Sequence, residues 1–307
     1  MRRNIVKWLI MPMLLAVAAC SSDGEQEVTS LAGGEINLTS SVAMTRAEST
    51  LQATQITASV KVGAFGLSGT TLLTNGNNNQ YSADGSGNLT ATNNMEWPAS
   101  GGATIYAYAP YQSGWTYNTD NTFTVQSDQS TEANYLASDL LYGVPASNPV
   151  AKTTSAVPLT FTHKLAKVNI TISKGVTAPA LTNAKVYITN TMASTTFNPS
   201  TGAVGEATGA ANPILVGTLT SETAVTISAV VVPQTVAANK RLILLTLADN
   251  SSLEAKVTAN TTFEGGKEYT FTAYVESDTK LTLGTTSITN WGNPTDIGSA
   301  DATEATE

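Results

Sequence analysis

The chain has one cysteine, Cys20, and one histidine, His163, in 307 residues. A single thiol excludes intrachain disulfides and cysteine-based zinc or iron–sulfur sites. A single histidine leaves any Ser-His-Asp or Cys-His engine dependent on one residue. Its surroundings, "FTHKLAKV", contain neither a nucleophile elbow nor an HExxH-type metal pair, so His163 reads as a structural residue at a strand or domain boundary. Charge is scarce too. Only 12% of residues are charged, the net charge is −8 and no basic cluster exists, so nucleic-acid binding lacks its electrostatic footprint. The carboxylates are scattered, with no convergent acid/base pair, and "DGSGN" at Asp84 to Asn88 lacks the spaced ligands of a calcium loop. The chain is therefore read as a non-enzyme without cofactor or metal. No repeat of fixed period is visible, which argues against a solenoid or propeller.

The N-terminus carries an export signal. Arg2, Arg3 and Lys7 precede an apolar run from Trp8 to Ala19, shorter than the roughly twenty residues a bilayer crossing needs. The run ends in Val17-Ala18-Ala19-Cys20, which resembles the bacterial lipoprotein box, so residues 1–19 read as a signal peptide and Cys20 as the lipidated mature N-terminus. "SSDGEQE" follows as a polar tether, and several acyl chains on one cysteine anchor stably in outer-membrane lipid.

What is abundant is Thr, Ser, Val, Ala, Asn and Gly, a mixture of strand formers and turn formers. Strand-like stretches recur at 57–67, 103–111, 121–127, 157–173, 184–190, 224–233, 241–250, 253–259 and 268–277, punctuated by Gly, Asn, Asp or Pro. That pattern predicts an all-β sandwich. Segments 74–80 and 83–88 read as turns, and 128–143, rich in Ser, Asn and Asp, reads as irregular. The segment 142–158 holds three prolines without alternation and predicts an interdomain connection, with a boundary near residue 155.

Residues 35–45 are the most informative. Ile36, Leu38, Val42 and Met44 fall on one face with Ser40, while Glu35, Asn37, Thr39, Ser41, Ala43 and Thr45 fall on the other, the signature of a half-buried strand. Burying four such side chains contributes roughly 6 to 12 kcal/mol, an upper bound. Arg46 follows at once, flanked by small and polar residues that suit protease access. After the export signal the only other arginine is Arg241, which opens an apolar strand. A cut between Arg46 and Ala47 would release the lipid anchor and the strand together, leaving a groove with unpaired backbone groups that demands a replacement strand.

Taken in order, the box ending in Cys20, "TRA" (45–47), "VGAFGLSG" (62–69), "YSADGSGNLTA" (81–91), "WPASGGATIYAYAPY" (97–111), "DLLYG" (139–143), "VPLTFTHKLAKVNITIS" (157–173), "EGGKEYTFT" (264–272) and "ITNWG" (288–292) resemble the Bacteroidetes fimbrillins, subunits of type V pili. The resemblance implies two tandem transthyretin-like, Greek-key β-sandwich domains, residues 47–155 and 156–307, behind a lipidated propeptide, residues 20–46. It implies cleavage after Arg46 by an arginine-specific surface protease, followed by polymerisation with other fimbrial subunits into a surface fimbrium that serves in adhesion. It also implies a donor strand within 281–307, with Leu281, Leu283, Ile288, Trp291 and Ile297 as groove-filling candidates whose alternation is imperfect. A different class stays open: an anchored surface lipoprotein that binds glycans through Trp97, Tyr106, Tyr108 or Trp115.

Overall fold

The structure, a computed structural model, describes residues 34–43 and 55–291. It is nearly all β, with one short helix among the described residues. The eight-stranded sheet of the N-terminal half runs in the order Thr71–Leu72, Lys61–Ser68, Asn79–Ala83, Asn88–Ala91, Leu38–Val42, Val157–His163, Leu141–Pro145, Thr104–Ala109. Lys61–Ser68 also pairs with Thr104–Ala109, from Gly63↔Tyr108 to Leu67↔Thr104, so the pairing closes into a ring. Alternation explains the packing: Val157, Leu159, Phe161 and His163 turn inward while Pro158, Thr160 and Thr162 face solvent.

Val157–His163 belongs to this ring, and the chain leaves it at Lys164–Leu165. Ala166–Lys174 then opens a second assembly of two four-stranded sheets. One runs Val225–Val231, Ala166–Lys174, Lys267–Val275, Leu281–Asn290; the other runs Ile214–Thr218, Lys185–Ile188, Arg241–Thr246, Ser252–Lys256. Their strands approach at two places, Ile214–Thr218 by Val225–Val231 and Ser252–Lys256 by Leu281–Asn290. Both halves share one device, a leading strand parallel to a late one: Leu38–Val42 beside Val157–Phe161, and Lys167–Lys174 beside Glu268–Val275. The halves are stitched by Asn121–Thr124, which pairs with Met192–Asn198.

The segment read as irregular contains the helix Glu132–Ser138. Thr131 caps it, its side chain accepting from the Asn134 amide, Glu132 sits in the positive first turn, and Tyr135, Leu136 and Ser138 are buried. Two segments read as turns also continue into strands. Asn75 and Asn78 take positive φ, and their side-chain amides donate to the Asn94 and Gln112 carbonyls, fixing the loop that delivers Asn79–Ala83.

One glycine is required by close approach. Gly143 lies opposite Phe161, and a methyl group there would come within 2.6 Å of the Phe161 ring. Gly143→Ala is expected to destabilise the chain by about 1 to 3 kcal/mol through overpacking. A lower urea midpoint at unchanged slope is the reading to look for.

Candidate strand-acceptor site

The front strand starts as Glu35–Ile36, antiparallel to Met95–Glu96, with the Trp97 amide donating to the Gly34 carbonyl at 3.0 Å. It continues as Leu38–Val42, where it changes partners. Along one side it runs parallel to the flanking strand in unbroken register from Leu38↔Val157 to Val42↔Phe161. That contact extends at both ends, since Val157 N donates to Asn37 O and Ala43 N donates to Phe161 O, each at 2.8 Å. Along the other side only Leu38↔Leu89 and Thr39↔Asn88 pair, followed by Ser40 N donating to Gly87 O at 2.7 Å.

The expected alternation holds. Ile36, Leu38, Ser40 and Val42 are between 0 and 6% exposed, whereas Glu35, Asn37 and Ser41 face solvent and Thr39 is half-buried. The three apolar side chains contribute roughly 5 to 9 kcal/mol by burial. Taking the strand away would leave Gly87 O, Phe161 O and the Val157 and Trp97 amides without these partners, a further cost for every group that stays buried. Trp97 Nε1 and Gln55 Oε1, which border the strand at Gly34 and at Gly87, are buried without hydrogen-bond partners among the described atoms. Met44, Arg46, Ala47 and Cys20 lie outside the described residues, as does Ile297.

The other sequence-predicted residues converge on the terminal strand Leu281–Asn290. It is antiparallel to Lys267–Val275 and ends its sheet. Leu281 is buried; Leu283, Ile288 and Trp291 are half-buried against the core. The register shifts between Phe271 and Ala273, putting Leu283 opposite Ala273 and Thr286 opposite Phe271. That extra residue explains the imperfect alternation: Leu283, Thr286 and Ile288 all line one cavity of about 330 Å³ with Val257, Tyr269 and Phe271.

The aromatic residues weighed as a sugar platform pack inward instead. Tyr108, Trp97 and Trp115 are 0, 3 and 8% exposed, and Tyr108 stacks on Trp115 with centroids 4.5 Å apart. Burial raises the Tyr108 phenol well above its ordinary pKa, and its hydroxyl donates to Asn78 Oδ1 at 2.7 Å. Tyr106 is half-buried and stacks on Tyr117. Among the described residues no three His, Cys, Asp or Glu side chains gather as a metal site. His163 is held by Asp139, Nδ1 to Oδ1 at 2.8 Å, and its ring lies on Trp291. Sequence reasoning placed 157–173 as strand and His163 as structural, but missed this arrangement and the pairing of Val157–His163 with the front strand, because both join residues far apart in the chain.

A ring completed by its own leading strand and joined to a second assembly of two four-stranded sheets defines an all-β fold. The fimbrillin-like family model matches residues 45–291. The chain therefore belongs to the fimbrillin-like family. Solved structures agree on the fold. A protein provisionally described as a cell adhesion protein from Bacteroides uniformis is 24% identical, with TM-score 0.64, over 84% of this chain and 99% of that one. A similarly described protein from Bacteroides ovatus is 19% identical, with TM-score 0.66, over 85% and 98%. The tip fimbrial protein Mfa3 from Porphyromonas gingivalis, truncated at its C-terminus, is 11% identical, with TM-score 0.50, over 84% and 99%. Comparison with curated proteins gives no match.

Proposed function

We propose that the chain is a structural subunit of a cell-surface fimbrium, exported as an outer-membrane lipoprotein through Cys20, cut after Arg46, and polymerised by strand exchange for adhesion. In this reading two tandem transthyretin-like domains, residues 47–155 and 156–307, follow the propeptide, and the leading strand of the second, Val157–His163, is inserted into the ring of the first. The front strand is a temporary plug that keeps the monomer closed until an arginine-specific surface protease frees it. A strand from another fimbrial subunit then takes the seat, and the segment 281–307 with Leu281, Leu283, Ile288, Trp291 and Ile297 is the donor.

The observation that carries the reading is the front strand itself. It buries a full apolar face inside a ring, yet its ladder is continuous along one side only. A strand seated in this way closes the ring while present and opens an edge when gone, and unpaired edges recruit strands. The solved relatives described as fimbrial or cell adhesion proteins support the same role. N-terminal sequencing of the protein recovered from the cell surface tests it: a start at Ala47 is expected in assembled material, and a uniform start at Cys20 would overturn the processing step.

A further inference from the structure

We propose that Trp291 stacked on His163 is a clasp that holds the terminal strand on its own subunit and ties the release of that strand to vacancy of the front-strand seat. The inference rests on the strand-exchange reading above and adds its regulation. The indole and imidazole rings lie face to face, with centroids 3.7 Å apart and planes 11° from parallel. The imidazole cannot swing freely. Asp139 Oδ1 meets its Nδ1 at 2.8 Å, both side chains are almost wholly buried, and Asp139 ends the helix Glu132–Ser138 with its own amide donating to Leu136 O. Trp291 thus rests on a fixed plate, and its amide donates to Gly266 O at 2.7 Å.

Among the described residues the terminal strand has one hydrogen-bonded neighbour strand, its register is broken opposite Thr272, and the cavity of about 330 Å³ lies against Leu283, Thr286 and Ile288. A strand with one neighbour frays from its ends more readily than one paired on both sides, so an anchor at its end affects how often it leaves.

The position of the anchor gives the device its logic. His163 is the last residue of the flanking strand, two residues beyond Phe161, whose carbonyl accepts the Ala43 amide. The strand that carries the plug therefore also carries the plate on which the donor is parked. Removing the plug takes away the parallel ladder from Val157 to Phe161, leaving Leu141–Pro145 as the flanking strand's remaining neighbour. The end of that strand then loosens, the rings separate, and the terminal strand is freed when the seat is empty. A subunit still holding its plug keeps its donor parked.

Hydrogen exchange on the full-length chain, read at the amides of residues 281–290, tests this. Trp291→Ala is expected to speed their exchange by about 3- to 10-fold. Trp291→Phe, which retains a stacking ring, should stay within about twofold of the parent. Trimming at Arg46, followed by removal of the released front strand in mild denaturant and refolding, should speed exchange in the parent by a similar factor and add little in Trp291→Ala, because both remove the same restraint. Unchanged exchange in Trp291→Ala overturns the clasp. Equal acceleration by trimming in parent and Trp291→Ala overturns the coupling. If Trp291→Ala frees the strand but trimmed chains never polymerise, the clasp stands and the assembly reading fails. A chain that resists trimming likewise counts against the assembly reading alone.

Discussion

Brief treatment of the purified chain with an arginine-specific protease is expected to yield a product starting at Ala47 that associates into ladders or fibres, while an Arg46→Gln chain remains uncut and monomeric. The difference should be near complete, because one bond decides whether the front strand can leave its seat. Selectivity follows from the two exported arginines. Arg241 opens the strand Arg241–Thr246, paired on one side with Lys185–Ile188 and on the other with Ser252–Lys256, and its guanidinium lies 3.5 Å from Glu254. A protease needs an extended, accessible segment, which a strand with two neighbours does not offer. Arg46 follows three residues after Ala43, the last described front-strand residue, whose amide is tied to the flanking strand. Once cut, the front strand is held by burial worth roughly 5 to 9 kcal/mol and by its ladder, and it leaves only as a competing strand arrives or as the ring opens locally. Trimming to Ala47 with no larger species, at subunit concentrations where exchange has time to occur, would remove the basis of the assembly reading.

The seat was half legible in the chain. Ile36, Leu38, Ser40 and Val42 announce themselves because a strand with one wet face writes period two into its sequence. Their partner does not: Ser41 and Leu159, adjacent across the ladder, are 118 positions apart, and parallel pairing leaves no local turn to mark it. The run from 157 to 173 reads as one strand but is two, and the clue lies in its phase. Inward residues fall on 157, 159, 161, 163 and 165, then the buried apolar ones move to 166, 168, 170 and 172, so the chain changes sheets at the slip. Asn79–Ala83 and Asn88–Ala91 were hidden by Asn and Gly, whose turn preference outweighs propensity until a neighbouring strand is present. The terminal strand was blurred by its bulge, which turns Leu281, Leu283, Thr286 and Ile288 into one face only after the register shift is known. The stack of Trp291 on His163 is purely tertiary, and no pattern in either stretch points to it.

Leu38→Ala separates the monomer from the polymer. Leu38 is 2% exposed and sits where the front strand touches both neighbours, Val157 on one side and Leu89 on the other. Truncation there is expected to destabilise the uncut chain by about 2 to 5 kcal/mol, through lost transfer energy and the cavity left behind. It should also speed cutting at Arg46, because the plug opens more often. Fibres grown from the trimmed variant should match parent fibres in resistance to urea, since residue 38 departs with the propeptide. Phe161→Ala makes the contrast. Phe161 is fully buried on the flanking strand and stays in the mature subunit, so its loss is expected to cost about 3 to 5 kcal/mol in the monomer and to weaken the fibre as well. Paired urea curves on uncut and assembled samples of both variants decide the matter: a Leu38→Ala fibre as weak as the Phe161→Ala fibre means that the front strand never left.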